Sequence, residues 1–134
     1  MDVLTKSLTF LEQRHRIIAD NIANINTPFF KAKEAPLDEF RKSLADALRA
    51  AGKTGASALT LRSTEHVRFG PDGMAVTPVK ANAPDAVLRH DQNNVSLERE
   101  MAALAENTLL YRTLSDLLRK QFMMLQTAVK ERVE

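Results

Sequence analysis

Residues 20–32 read Asp-Asn-Ile-Ala-Asn-Ile-Asn-Thr-Pro-Phe-Phe-Lys-Ala, and this stretch determines where the first helix of the chain must stop. Thr27 precedes Pro28, and proline disfavours helical backbone in the residue before it. Asparagine is common as a left-handed residue at the end of a helix. We therefore expect a helix that ends near Asn24–Asn26, followed by a turn.

The residues before this turn have a helical period. Apolar side chains, with one histidine among them, recur at spacings of four and three and so share one face of a helix. We predict a helix over about residues 3–25, roughly 35 Å long. The positions on this face are Leu4, Leu8, Leu11, His15, Ile18, Ile22 and Ile25.

The end of the chain has the same pattern over a greater length. We predict a helix over about residues 95–132, roughly 57 Å long, and Ser96 is a good N-cap for it. Its first stripe is Leu97, Met101, Leu104, Thr108, Tyr111, Ser115, Leu118, Phe122, Leu125 and Val129. A second stripe beside it is Ala103, Leu110, Leu114, Leu117, Met124 and Ala128.

The middle of the chain is more irregular. Apolar spacing predicts a short helix over about 37–50, with Pro36 in its first turn and Gly52 at its end. After Gly52, glycines and prolines interrupt any helical period. Runs typical of strands lie at 59–61, 66–69 and 74–77, and the last two flank the turn Gly70-Pro71-Asp72-Gly73, which predicts a small hairpin.

These elements predict a mainly α fold, with long amphipathic terminal helices that pair as a coiled coil around a short irregular or β-hairpin insert. With 134 residues the chain fits one domain. We divide it into an N-terminal helix (1–26), a turn and short helix (27–52), a variable loop and hairpin region (53–94) and a C-terminal helix (95–134).

Composition excludes several classes of protein. The chain has no cysteine, which excludes disulfides, thiolate metal sites and a cysteine nucleophile. The formal net charge of +2 is scattered and forms no basic face of the kind that nucleic-acid binders have. No apolar run reaches the roughly 18–20 residues of a membrane span, and residues 1–6 do not resemble a signal peptide.

Candidate catalytic and metal-binding residues do not form a recognisable set. His15, His66 and His90 lie far apart, without metal-ligand spacing. The carboxylates Glu98 and Glu100 lie on a charged helical face, where a solvated strip is the simpler interpretation than an acid–base pair. We expect no catalytic residue, metal or cofactor.

The length of the C-terminal helix predicts assembly. Within the chain the first helix covers about two-thirds of it, so the remainder and the second stripe lack a partner, and such apolar patches are typical of interaction surfaces. The alternative is a monomeric bundle in which the short helix folds back over this face. We expect the first-helix positions Leu4, Leu8, Leu11, Ile18, Ile22 and Ile25 to pack against Leu97, Met101, Leu104, Tyr111, Leu118, Phe122 and Leu125, and Leu114 with the second stripe to meet neighbouring subunits.

Asparagines mark both helix ends. Capping accounts for Asn24, Asn26 and Asn94, but Asn21 and Asn107 lie inside the predicted helices. Interior asparagines can fix the register of paired helices.

The stretch from Asn21 to Ala32 resembles the N-I-A-N-x-x-T-P-G-[FY]-K-A signature of bacterial flagellar axial proteins. The motif and turn residues are Asn21, Asn24, Asn26, Thr27, Pro28, Phe30 and Lys31, with Asn26 at a position that the signature leaves open. Residues 94–111, with Asn107 and Tyr111, are similar to the C-terminal pattern of the proximal rod proteins. Two departures occur: Phe29 stands where the signature usually has glycine, and residues 90–94 replace the usual Asp-Gly-Asn turn.

The resemblance implies a structural subunit of the flagellar basal-body rod in the periplasm, exported by the flagellar type III apparatus. It implies a rod that connects the membrane ring to the distal rod and transmits torque for motility. The implied partners are further copies of the chain, the FlgC, FlgF and FlgG types of rod subunit, the adaptor FliE, the MS ring and the export gate.

Three alternatives remain at this point. The chain could be of the FlgC type, the sibling proximal rod protein, or a cytoplasmic helical adaptor or chaperone that shares amphipathic helices with rod proteins. A small hydrolase is a third class, and it requires a pocket and a base that the sequence does not indicate.

Overall fold

The computed structural model describes residues 2–54, 60–70, 73–82 and 90–131. These described residues form three helices and four short strands, so the predicted mainly α fold class is confirmed. Their bounds are α1 Asp2–Ala23, β1 Lys33–Glu34, α2 Leu37–Thr54, β2 Val67–Gly70, β3 Gly73–Val76, β4 Val79–Lys80 and α3 Leu97–Glu131.

The helix ends differ from the predicted ones by a few residues. Helix α2 continues through Gly52 to Thr54, because glycine weakens a helix without ending it. Helix α3 begins at Leu97, since the side chain of Asn93 binds the amide of Val95 and Ser96 accepts the first helical bond from Glu100. Ser96 therefore occupies the N-cap position.

Helices α1 and α3 pack against each other in antiparallel directions. The end of α1 lies beside the start of α3, where Asn24 accepts a hydrogen bond from Asn93. Further along, Asn107 on α3 binds the carbonyl of Leu11, and Tyr111 binds Glu12. The long C-terminal helix thus runs back along α1 toward the N-terminus.

The core lies where α1, α2 and the hairpin meet. The rings of Phe10 and Phe40 stack with centroids 4.3 Å apart and an interplanar angle of 7°. Phe10 and Val67 are completely buried, and Leu11 joins them. Helix α2 therefore docks through Phe40 on α1, and the bundle in which it covers the far end of α3 is not adopted.

The predicted hairpin is formed by β2 and β3, which pair antiparallel with Phe69 opposite Met74 and Gly70 opposite Gly73. Pro71 and Asp72 of its predicted turn lie outside the described residues, as does Leu59 of the first strand-like run. The rest of that run, Thr60 and Leu61, forms no strand, so the strand expected there is wrong for these two residues.

A second small sheet was not predicted. Strand β1 pairs antiparallel with β4, with Lys33 opposite Lys80 and Glu34 opposite Val79. Each strand has two residues, too few for a period of two to be recognised in the sequence. The sheet holds the segment after the Asn-Thr-Pro turn against the insert.

Candidate assembly site

The seam between α1 and α3 is built from fewer of the expected residues than the stripes suggested. On α1, Leu11 and Ile18 are buried, whereas Leu4, Leu8, Ile22 and Ile25 are partly buried and His15 is exposed. On α3, Asn107 is buried, and Leu104, Leu114 and Leu118 are partly buried.

The other expected seam residues of α3 stay half exposed. Leu97 is 49% exposed, Met101 51%, Phe122 54% and Leu125 53%, and Tyr111 reaches α1 mainly through its hydroxyl group. These residues stay exposed for two reasons. The face of α3 that contacts α1 passes through Ala103 and Asn107, and α1 does not extend along α3 as far as Phe122. The expected contacts of these residues with α1 are therefore largely absent within one chain.

The last part of α3 carries a run of exposed apolar side chains. Because α1 is shorter than α3 and packs antiparallel to it, α1 reaches its Asp2 end while α3 continues to Glu131. The residues of this region share an exposure of 47% or more: Leu117, Phe122, Met123, Met124, Leu125 and Val129. We call residues 117–130 the α3 tail. Its apolar side chains are available for contact with another molecule.

Asn93 connects the two ends of the helix pair. Its side-chain Nδ2 donates to the carbonyl oxygens of Asn24, Ile25 and Thr27, at 3.0, 3.1 and 2.8 Å. Its Oδ1 accepts the amide of Val95 at 2.8 Å, and the residue is fully buried. One side chain therefore binds three carbonyls of the turn that follows α1.

Asn21 and Asn94 hold the next segment. The side chain of Asn21 both donates to the carbonyl of Lys33 at 2.8 Å and accepts its amide at 3.0 Å, as a neighbouring strand would. Asn94 Oδ1 accepts the amide of Ala32 at 2.7 Å. The interior position of Asn21, which capping did not explain, is thus occupied because the residue binds β1.

Asn107 has a similar role in the middle of the seam. Its Nδ2 donates to the carbonyl of Leu11 at 3.0 Å, and its buried Oδ1 has no donor within hydrogen-bond distance. A buried amide that binds one specific carbonyl disfavours a shift of one helix along the other, because the shift removes its partner.

The turn after α1 contains a left-handed aromatic residue. Phe29 has a φ of 62° and is 68% exposed, and its amide donates to the carbonyl of Asp91 at 2.9 Å. Across this bond lies Gln92, with a φ of 58°. Phe29 stands where the resembling signature usually has glycine, and Gln92 lies in the segment 90–94 that replaces the usual Asp-Gly-Asn turn. Both residues adopt a left-handed backbone that favours glycine.

The remaining signature residues surround this turn. Asn26, Thr27 and Pro28 are exposed, Thr27 Oγ1 donates to Asn24 Oδ1, and Lys31 Nζ donates to the carbonyl of Gln92. Phe30 is partly buried, with Lys33 Nζ 5.7 Å from its ring centroid. The signature thus forms a compact connection between α1, β1 and the start of α3.

Charged groups along the seam are paired across it. Arg14 Nη2 lies 2.7 Å from Glu106 Oε2, and the Arg14 side chain is 13% exposed. Burial raises the pKa of the Glu100 carboxyl, against a hydrogen bond from Asn21 that lowers it. The hydrogen bond to the Glu12 carboxylate raises the pKa of the Tyr111 hydroxyl. These polar groups border the seam and orient α3.

One acid–base pair lies away from the seam. His66 Nδ1 is 2.6 Å from Glu39 Oε1, and the amide of His66 donates to Glu39 Oε2 at 3.2 Å. The hydrogen bond from Thr64 lowers the pKa of Glu39, with a further contribution from His66. Both groups are occupied in joining α2 to the hairpin, which is a structural use of the pair.

Neither metal chemistry nor a membrane span is indicated by the described residues. Within 2–54, 60–70, 73–82 and 90–131, no group of three histidines or carboxylates is arranged to hold a metal ion. None of the helices in this part of the chain combines the length and the apolar composition that crossing a bilayer requires.

Sequence reasoning missed two important residues. Phe10 lies between the stripe positions Leu8 and Leu11, so the four-and-three spacing passed over it, although a phenylalanine in an amphipathic helix is a candidate core residue. Asn93 was read as part of an unusual loop. Its neighbour Asn94 and the preceding Asp91 were the available signal, because Asx residues bind nearby backbone.

Comparison with known proteins identifies relatives over nearly the whole chain. No family model matches. The chain is 33% identical over 130 residues to the flagellar basal body rod protein FlgB of Cereibacter sphaeroides (strain ATCC 17023), covering 97% of this chain and 93% of that protein. It is 32% identical over 107 residues to FlgB of Salmonella typhimurium (strain LT2), covering 79% and 75%. FlgB of Escherichia coli (strain K12) is 31% identical over 114 residues, with the same coverage.

Proposed function

This chain belongs to the FlgB family of flagellar basal body rod proteins and is a structural subunit of the basal-body rod, and from that premise we propose how it works. It acts in the proximal rod, where its terminal helices pack with those of neighbouring subunits into a shared helical tube. It has a structural rather than a catalytic role. The proposal includes transmission of torque from the membrane ring to the distal rod.

The observation that carries this proposal is the uncovered face of α3. The apolar side chains of the α3 tail include Phe122, Met124, Leu125 and Val129, each more than half exposed. Burial of one such side chain contributes about 1.5–3 kcal/mol. A subunit that hides several of them against its neighbours gains enough free energy to offset the ordering of side chains at the contact.

The connection between α1 and α3 supplies the second requirement of a rod, which is stiffness. Asn93 binds the turn after α1, Asn107 binds the carbonyl of Leu11, and Arg14 pairs with Glu106, so the two helices are joined at several points along the pair. Close-packed side chains and such fixed contacts transmit strain with little deformation. A rod subunit that bears torque benefits from both.

The proposed partners are those that a proximal rod position brings into contact. They are copies of the chain itself, rod subunits of the FlgC, FlgF and FlgG types, the adaptor FliE, and the MS ring and export gate. The proposed location is the periplasmic part of the basal body, reached through the flagellar type III apparatus. The heterologous contacts of such an assembly produce an open helical array.

The test is complementation of a flagellated bacterium that lacks its own copy of this gene. Phe122→Asp with Leu125→Asp should abolish swimming and remove the protein from purified basal bodies, because charges then lie in the packed tube. Leu48→Asp, at an equally exposed leucine of α2, is the matched control. Normal motility of the double variant, or absence of the wild-type protein from basal bodies, would contradict the proposal.

A further inference from the structure

We propose that Met101 is an oxidation-sensitive modification site of the unassembled chain, and that conversion of its thioether to the sulfoxide by a peroxide keeps the chain out of the rod. This inference rests on the proposed function, because it requires that assembly covers the apolar face of α3 on which Met101 lies. The exposure of Met101, its apolar neighbours and the absence of cysteine carry it.

Exposure makes the sulfur of Met101 accessible to an oxidant in solution. Met101 is 51% exposed in the single chain, and Met123 is 53% exposed. Met74, in contrast, is partly buried and packs against the core cluster that contains Phe10 and Phe40. The chain has no cysteine, so methionine supplies its only readily oxidised sulfur. A peroxide should therefore react at Met101 before it reacts at Met74.

The modification is a two-electron oxidation of the Met101 thioether. A lone pair of the sulfur forms an S–O bond with one oxygen of the peroxide while the O–O bond breaks. With hydrogen peroxide, the second oxygen takes the electron pair of that bond, gains the proton of the first oxygen and leaves as water. The product is a polar sulfoxide, which methionine sulfoxide reductases convert back to the thioether, so the modification is reversible.

The neighbours of Met101 on α3 offer no hydrogen-bond donor to a sulfoxide. Side chains three or four positions apart on a helix are neighbours, and three of those around Met101 are apolar: Leu97, Leu104 and Ala105. The fourth is Glu98, whose ionised carboxylate accepts hydrogen bonds and donates none. A sulfoxide oxygen that is covered on this face therefore loses its hydrogen bonds to water without replacement, which opposes the contact.

The same face of α3 borders a groove between α1 and α3. The groove has a volume of about 530 Å³, and Leu11, Thr108 and Tyr111 are among the residues that line it. Thr108 comes two turns after Met101 and so lies on the same side of α3. A neighbouring subunit that covers this side of the helix pair therefore buries the thioether of Met101 together with the apolar residues beside it.

Met123 matches Met101 in exposure and differs from it in surroundings. Its neighbours at spacings of three and four are all polar or charged: Arg119, Lys120, Gln126 and Thr127. Each of these side chains carries an N–H or O–H donor. A sulfoxide at position 123 has donors on its own helix, so its formation should have little effect on assembly, and Met123 is the matched control.

The first experiment measures oxidation of the purified chain. The chain is treated with hydrogen peroxide, and tandem mass spectrometry follows sulfoxide formation at each methionine. Met101 and Met123 should oxidise at rates that agree within about twofold, and both should react roughly fivefold or more faster than Met74. A rate at Met101 as low as that at Met74 would overturn the inference.

The second experiment measures entry into the rod in a flagellated bacterium that lacks its own copy of this gene. Glutamine has nearly the length of methionine and carries a polar oxygen, so Met101→Gln stands in for the sulfoxide. This variant should reduce the number of copies in purified basal bodies by roughly fivefold or more, because a polar group enters an apolar contact. Met101→Leu, which cannot be oxidised, and Met123→Gln should both be incorporated like the wild type.

Thermal unfolding of the purified Met101→Gln variant separates assembly from folding. Its melting temperature should equal that of the wild type, because the side chain is exposed in the single chain. A lower melting temperature would show that Met101 belongs to the fold of the subunit, and this result would overturn the inference.

The outcomes also separate this inference from the proposed function. If Met101→Gln is incorporated as well as the wild type, or if Met123→Gln is lost to the same degree, the inference is wrong while the rod assignment stands. If the wild-type chain is itself absent from basal bodies, the rod assignment fails and the inference fails with it.

Discussion

The side-chain amide of Asn93 donates to the carbonyl oxygen of Thr27 at 2.8 Å, which fixes the start of α3 against the turn that ends α1. The same amide binds two further carbonyls, those of Asn24 and Ile25. The Asn-Thr-Pro turn therefore presents its carbonyls to a residue that lies 66 positions later in the chain. The two terminal helices meet through this contact.

Asn93→Ala should lower the free energy of unfolding by about 1–3 kcal/mol, because three carbonyls lose the donor that the buried Asn93 side chain supplies. Urea denaturation at neutral pH measures the change. Asn26→Ala removes an exposed asparagine of the same turn and serves as control, with an expected change near zero. Equal stability of the two variants would show that the Asn93 contacts do not hold the helix pair together.

Phe29→Gly should stabilise the chain by up to roughly 1 kcal/mol. A left-handed residue with a Cβ atom costs about 1–2 kcal/mol, and the greater freedom of glycine in the unfolded chain offsets about 0.5–1 kcal/mol of the gain. Phe29→Ala keeps the left-handed strain and should not stabilise. Denaturation midpoints compare the two variants, and a gain in both or in neither contradicts a strained turn at this position.

Phe10→Ala should destabilise the chain by about 3–5 kcal/mol, because the ring is fully buried and its removal leaves a cavity. The loss also removes the stack with Phe40 that docks α2. Thermal unfolding followed by circular dichroism gives the effect. Phe29→Ala is the control, since it deletes an exposed ring. A similarly small loss of stability in both variants would place Phe10 outside the core.

Acidification should weaken the contact between α2 and the hairpin. The folded state lowers the pKa of Glu39, so this carboxylate stabilises the chain above its ordinary pKa of 4.5 and the contribution is lost as the pH falls through the lower folded value. Denaturant unfolding between pH 7 and pH 3 should therefore show a pH dependence that is smaller in Glu39→Gln.

The charge-matched control for that measurement is Asp38→Asn, which removes an exposed carboxylate one residue away. If Glu39→Gln retains the whole pH dependence of the wild type, the Glu39 contacts with Thr64 and His66 do not contribute to stability.

The helices were predictable because many residues contribute to their period. The apolar stripes predict both long helices within a few residues of their observed ends, from Leu4 to Ile25 and from Leu97 to Val129. The hairpin was predictable from the glycine and proline residues between two strand-like runs, although Leu61 is buried without forming a strand. Apolar residues in a run of only two or three positions predict burial, but they do not distinguish a strand from an irregular segment.

The site was less predictable than the fold. Side-chain contacts between distant segments, such as Asn21 with Lys33 and Asn93 with Thr27, depend on where a whole helix ends and cannot be derived from local spacing. The face of α3 toward α1 was rotated from the expected stripe, since its wide apolar surface leaves the choice of face to tertiary packing. The exposed tail followed directly from the difference in length between α1 and α3.

The most direct test of the central claim uses the absence of cysteine from the chain. A Phe122→Cys variant places one thiol on the α3 tail, and Leu48→Cys places one on the exposed side of α2 as control. The purified monomer and intact basal bodies are each labelled with a maleimide. The thiol of Phe122→Cys should react in the monomer and be protected in the basal body. The labelling of Leu48→Cys should differ less between the two preparations. Equal labelling of position 122 in both preparations would contradict an apolar face that is covered by assembly.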